Sequence, residues 1–175
     1  MARIRKFCAY RRLERPYTRI SKFRERSFIR MSPQPKIVRF NIGEQRSDYE
    51  FVLNLISKDD LQIRDNAIES ARQTSNKFLE KKMGTSGYNL IIRVYPHHVL
   101  RENPLAAGAG ADRMSTGMAH SFGKPIGIAA RVKSGQSVIT IRTNKANVDT
   151  AKLALKRAAS KLPCATLITV SQMKK

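Results

Sequence analysis

A chain of 175 residues is long enough for one domain, or one domain with an extended arm, and for a real hydrophobic core, but not for two independent cores. Its 34 Lys and Arg against 13 Asp and Glu leave a net charge of +21, which would repel itself in a compact monomer unless a polyanion neutralised it, so nucleic acid is the first partner to consider. No apolar run reaches the roughly 18 to 20 residues of a spanning helix, and none follows the basic N-terminus as a signal peptide requires, which argues for a soluble intracellular protein and against a membrane.

Taken in chain order, the first element is an arm, MARIRKFCAYRRLERPYTRISKFRERSFIRMSPQPK, with no sustained apolar period and with Pro16, Pro33 and Pro35 breaking it into extended pieces. Residues 1–40 hold 13 Lys and Arg and 2 Asp and Glu, net +11. Left alone, such an arm is expected to be largely disordered. Phe7, Tyr10, Tyr17, Phe23 and Phe28 stand between its arginines, a pairing in which guanidinium groups hold phosphates while rings stack on bases or sugars. The alternative is a solvated basic tail whose aromatics cover the edge of the domain. The arm is assigned to residues 1–35 and the globular domain to residues 36–175.

From Lys36 the alternation in KIVRFNI predicts a strand, and YEFVLNLIS predicts a second with Tyr49, Phe51, Leu53 and Leu55 on one face. Residues 41–70 carry 3 Lys and Arg and 7 Asp and Glu, net −4. Asp59 or Asp60 then caps a predicted helix through LQIRDNAIESARQTSNKFLEKKM. Its Ile68, Ala71, Phe78 and Leu79 form a stripe, its late Lys81 and Lys82 suit the helix dipole, and Gly84 stops it. YNLIIRVYP is the next strand, ended by Pro96, and HHVLRENP leads into a glycine-rich loop.

The loop GAGADRMSTGMAHSFGKPIG places Gly108, Gly110, Gly117, Gly123 and Gly127 beside Arg113 and Lys124. It fails the dinucleotide template, because Arg113 stands where G-x-G-x-x-G needs its third glycine. It also fails the phosphate-loop template, because five residues separate Gly117 from Gly123 and Pro125 follows Lys124. Beyond it, IGIAARV and SVITIRT predict two strands around the turn Lys133-Ser134-Gly135, a hairpin. A second helix, NVDTAKLALKRAASKL, turns Val148, Ala151, Leu155 and Leu162 inward, Pro163 ends it, and CATLITVS is a last strand. Residues 71–175 carry 18 Lys and Arg and 4 Asp and Glu, net +14. The order predicts an α+β domain, two helices packed on a mostly antiparallel sheet.

Chemistry is thinly marked. Ser115, Ser121, His120 and Asp112 carry no triad spacing, and neither G-x-S-x-G nor H-E-x-x-H occurs. His97 and His98 are adjacent, so on a strand they point to opposite faces and cannot chelate one ion together. Cys8 and Cys164 lie far apart without a C-x-x-C pair and are read as free, buried thiols. No metal and no cofactor is implied.

The stretches CAYRRLERPYTR, SNKFLEKKMG, YNLIIRVYPHHVLR, AGADRMSTGMAHSFGKPIGIAARVKSGQ and ITIRTN, in this order across nearly the whole chain, resemble the universal large-subunit ribosomal protein family numbered sixteen in bacteria and ten-e in archaea and eukaryotes. RPYTR resembles the archaeal and eukaryotic branch, and the short C-terminus resembles archaeal members. The segment from Lys22 to Pro35 departs from the family pattern.

The resemblance implies an α/β-hammerhead-like α+β fold seated on large-subunit rRNA, cytoplasmic within the ribosome, without catalytic residues. Its partners would be large-subunit rRNA, tRNA and neighbouring ribosomal proteins, with no membrane and no homo-oligomer. Together with the charge and interleaved rings of the arm, it points to rRNA contact by Arg3, Arg5, Lys6, Tyr10, Arg11, Arg12, Arg15, Tyr17, Arg19, Lys22, Arg24 and Arg26, and by Lys133, Arg142 and Lys145. It implies that loop 101–124 reaches the peptidyl-transferase region and tRNA acceptor arms through Arg101, Gly108, Gly110, Arg113, Gly117, His120, Gly123 and Lys124. Without RNA the glycines should leave that loop mobile. A free-standing RNA chaperone or RNA-modification accessory protein is the alternative, and a ribonucleoprotein enzyme using His120 a third.

Overall fold

The computed structural model describes residues 4–13, 22–27, 29, 31–103 and 123–173. Strands β1 (Asn41–Gly43), β2 (Phe51–Ser57) and β3 (Leu61–Arg64) precede helix α1 (Asp65–Met83). Strands β4 (Tyr88–Ile92), β5 (His98–Glu102), β6 (Lys124–Val132) and β7 (Ser137–Thr143) follow, then helix α2 (Val148–Ala159) and strand β8 (Thr166–Gln172). The strands form two sheets, five-stranded in the order β1-β4-β7-β2-β8 and three-stranded in the order β3-β6-β5. Every pairing among the described strands is antiparallel. The architecture is α+β, two helices packed against antiparallel sheets.

Period-two patterning sets the core face of the larger sheet. Leu53 and Leu55 on β2 stand opposite Ile141 and Ile139 on β7, which in turn stand opposite Leu90 and Ile92 on β4. Helix α1 lays Ile68, Ala71, Ser75 and Leu79 on this layer, and α2 lays Ala151, Ala154, Leu155 and Ala158. Three alanines on one stripe let α2 approach closely, and each fully buried Leu or Ile contributes about 1.5–3 kcal/mol. Ser75 is buried without penalty because its hydroxyl donates to the Ala71 carbonyl at 2.8 Å. Where the helices meet, the Arg157 guanidinium lies 4.0 Å from the centre of the Phe78 ring.

Several sequence expectations are corrected. LQIR is strand β3, and α1 starts only at Asp65, with Arg64 at its N-cap. Leu61 and Ile63, both buried, alternate with period two and pair with β6, which outweighs helix propensity in so short a stretch. Asp59 and Asp60 cap no helix: they accept hydrogen bonds from the Ala165 and Ser134 amides at 3.3 and 2.5 Å. Asp65 takes the helix-start role, accepting from the amides of Asn66 at 2.8 Å and Lys36 at 3.2 Å.

The strand expected from Lys36 is confined to Asn41–Gly43. Ile37 plugs into the core at 2% exposure while Val38 stands 81% exposed. HVLRE, within the stretch expected only to lead into the loop, is β5. The predicted hairpin is not one, since β6 and β7 belong to different sheets and the turn at Lys133-Ser134-Gly135 carries the chain from one to the other. Both cysteines are free, but Cys8 is exposed and Cys164 half-buried, its thiol pKa pushed up by burial.

Candidate nucleic-acid interface

The glycine-rich loop is the excursion of a β5–β6 hairpin. Glu102 and Lys124 are paired across its neck, Arg101 pairs with Pro125, and a register shift falls between Leu100 and Arg101. Gly123 closes the neck with φ +93°, and a Cβ there would lie 2.7 Å from the Glu102 carbonyl carbon and 2.9 Å from the Asn103 nitrogen. Only glycine fits that approach.

The arm reaches the same neck. The Arg5 Nε donates to Glu102 Oε1 in an ion pair, and hydrogen bonding and charge from Glu102 raise the Arg5 pKa. Ile4 packs on Gly127, where an added Cβ would come within 3.1 Å of its side chain. The Arg5 amide donates to the Tyr10 hydroxyl at 3.1 Å, and the Arg64 guanidinium donates to the Arg5 carbonyl at 3.1 Å. Gln62 of β3 holds the next turn: its amide donates to the Arg11 carbonyl at 3.1 Å and its Nε2 to the Arg12 carbonyl at 2.6 Å.

With Nε2 so engaged, Gln62 Oε1 accepts from His98 Nδ1, which fixes the imidazole as a Nδ1–H donor. Burial, reinforced by the nearby Arg131 and Arg101 charges, lowers the His98 pKa to about 4, so the ring is neutral near pH 7. Farther along the arm, Ile29 is buried against Val99 of β5 and Ile128 of β6. Arm and hairpin thus enclose a cleft of about 230 Å³ lined by Arg5, Tyr10, Arg12, Gln62, His98 and Arg101.

The structure therefore brings Arg5, Tyr10, Arg12 and Arg101 together, with Lys124 across the neck. Lys6, Arg11 and Arg24 are exposed, and the Lys22 ammonium sits 5.2 Å from the centre of the Phe23 ring. Lys133 lies at the opposite end of β6 from Lys124 and is not part of the cleft. Arg142 is half-buried on β7, and exposed Lys145 begins the turn before α2, its amide donating to Glu50 at 3.2 Å. Arg3, Arg15, Tyr17 and Arg19, the Arg26 side chain, and Gly108, Gly110, Arg113, Gly117 and His120 lie outside the described residues.

Gln62 and Arg64, which hold the arm, and His98, which holds Gln62, were not among the expected site residues. Alternation in LQIR and HHVLRE was the available signal. The exposed helix cations Lys77, Lys152, Lys156 and Arg157 were also outside that set.

Residues 14–169 match the family described as ribosomal protein L16p/L10e. The chain belongs to that family. Among its relatives are large ribosomal subunit proteins uL16 of three archaea. That of Methanococcus aeolicus is 49% identical over 164 residues, 93% of this chain and 91% of the relative. That of Staphylothermus marinus is 50% identical over 159 residues, 91% and 88% of the two chains. That of Archaeoglobus fulgidus is 44% identical over 163 residues, 93% and 90%.

The L16p/L10e chain is thus a ribosomal protein of the large-subunit type with archaeal relatives. The sequence resemblance is borne out. Gly123, Lys124 and Pro125 of its FGKP motif close the hairpin neck. Among the described residues no helix is long and apolar enough to cross a membrane, and no three His, Cys, Asp or Glu side chains are grouped to hold a metal ion.

Proposed function

We propose that this L16p/L10e protein is a non-enzymatic structural constituent of the large ribosomal subunit that binds large-subunit rRNA and presents loop 101–124 to tRNA near the peptidyl-transferase centre. The relatives' shared name supports the first part. The observation that carries the second is the clamp at the hairpin neck, where Arg5 holds Glu102 and Ile4 covers Gly127. An arm seated on rRNA would thereby set the position of the loop base. Arg5, Lys6, Arg11 and Arg12 belong to the anchoring set, and Arg101, Arg113, His120 and Lys124 to the tRNA-facing set.

The test separates anchoring from placement. Arg113→Ala with Lys124→Ala leaves the arm and helix cations intact, so the variant should stay on large subunits through a high-salt wash. tRNA binding or peptide-bond formation should fall, each lost phosphate contact costing about 1–3 kcal/mol. Full occupancy with unaltered tRNA binding and peptidyl transfer would leave the loop a scaffold only. Release of the unmodified protein by the wash would point instead to a transient RNA chaperone.

A further inference from the structure

Among the described residues, strand β8 forms one edge of the five-stranded sheet and pairs with β2 alone. Bonds at its two ends show which backbone groups that pairing uses: the Lys58 amide donates to the Ala165 carbonyl at 3.0 Å and the Met173 amide to the Glu50 carbonyl at 2.8 Å. In an antiparallel ladder, residues that exchange hydrogen bonds alternate with residues that do not, and the register runs unshifted from Phe51↔Gln172 to Ser57↔Thr166. Ala165, Leu167, Thr169, Ser171 and Met173 therefore turn their backbone groups toward β2. Thr166, Ile168, Val170 and Gln172 turn theirs outward.

Proteins ordinarily blunt such an edge with Lys, Arg, Pro or a bulge. From Thr166 to Met173 this edge has no charged residue and no proline, in a chain where 34 of 175 residues are Lys or Arg. Leu167, Val170 and Met173 are 48%, 42% and 38% exposed, and Leu167 and Val170 lie on opposite faces of the sheet. Left open, the strand is an aggregation template.

We propose that β8 is an interaction edge, completed by an extended segment of a neighbouring protein that adds a sixth strand to the sheet. The proposal rests on the reading of the chain as part of a large subunit. RNA phosphates need cations, and this stretch supplies none. A second copy would bring another +21 of net charge against the first. A neutral or acidic peptide in extended form satisfies the outward amides and carbonyls, and alternate apolar side chains on it cover Leu167 and Val170.

Hydrogen exchange compares the isolated chain with intact large subunits that carry it. The amides of Ile168 and Val170 should exchange freely in isolation and at least about tenfold more slowly in the subunit, while Leu167, Thr169 and Ser171 are protected in both. Val170→Pro removes an outward amide that β2 does not use, so far-UV circular dichroism should be unchanged. A photo-cross-linker at Gln172 should capture a protein segment in unmodified subunits, with yield falling at least about tenfold in the Val170→Pro subunits.

Unprotected Ile168 and Val170 amides in subunits that hold the chain would overturn the edge proposal alone. So would protection that ribonuclease abolishes, or protection already present in a self-associated isolated chain. A chain that does not sediment with subunits at all would overturn the functional reading and the edge proposal with it.

Discussion

Gly123 and Gly135 both have positive φ, +93° and +80°, yet their surroundings differ. A methyl group at Gly135 meets open space, whereas one at Gly123 meets the backbone of Glu102 and Asn103. Left-handed backbone costs a non-glycine residue about 1–2 kcal/mol at either position. Gly123→Ala adds a collision with main-chain atoms that no rotamer change relieves, so it should lower the urea midpoint more than Gly135→Ala and speed exchange at the β5–β6 neck. Equal losses at the two sites would show that the close approach is unimportant. A glycine in a sequence announces that something comes near, but not what. Here Gly123 accommodates the chain's own backbone, where the loop's composition had suggested phosphate.

At the scale of elements, the Gln62 side chain that holds the arm is itself held by a neutral imidazole. An unfolded His98 takes up a proton near pH 6.5, but in the fold burial and the Arg131 and Arg101 charges delay this to about pH 4. The unfolded state therefore binds more protons between these values, so the His98 contribution is complete above about pH 6.5 and is lost as pH falls toward 4. Urea unfolding between pH 6.5 and 5, above most carboxylate titrations, should show stability falling with acidity. His98→Gln, which keeps a donor for Gln62 but cannot titrate, should flatten the slope, and an unchanged slope would exclude His98 as its source. The helices were legible at this scale because Ile68, Ala71 and Leu79 share one stripe of α1, as do Ala151 and Leu155 on α2. The boundary at Arg64 was not, since four residues of alternation sit directly against a strong helix signal.

For the whole molecule the dominant quantity is the net charge of +21. Binding to structured RNA should weaken steeply with salt, by about 10³-fold or more between 50 and 200 mM if six or more phosphates are neutralised. Residues 1–35 carry 11 Lys and Arg and 2 Asp and Glu, net +9, while every member of the main buried cluster lies between Ile37 and Leu162. Deleting them should preserve the circular dichroism of the remainder and reduce the salt slope by roughly two-fifths, in proportion to the charge removed. A flat salt response would sink the polyanion argument, and loss of the fold would show that the arm belongs to the domain.

Composition and periodicity by themselves determined the α+β class, both helical stripes and most of the strands, and pointed to a polyanionic partner, because each depends on residues close in the chain or on a simple sum of charges. Order along the chain, with its motifs, determined the family. Tertiary structure alone decided that β6 and β7 part into separate sheets, that HVLRE is a strand, and that Gln62 and Glu102 hold arm residues 50 and 97 positions upstream. Such pairings follow from which distant backbone edge is left to satisfy, and local patterning carries no record of that.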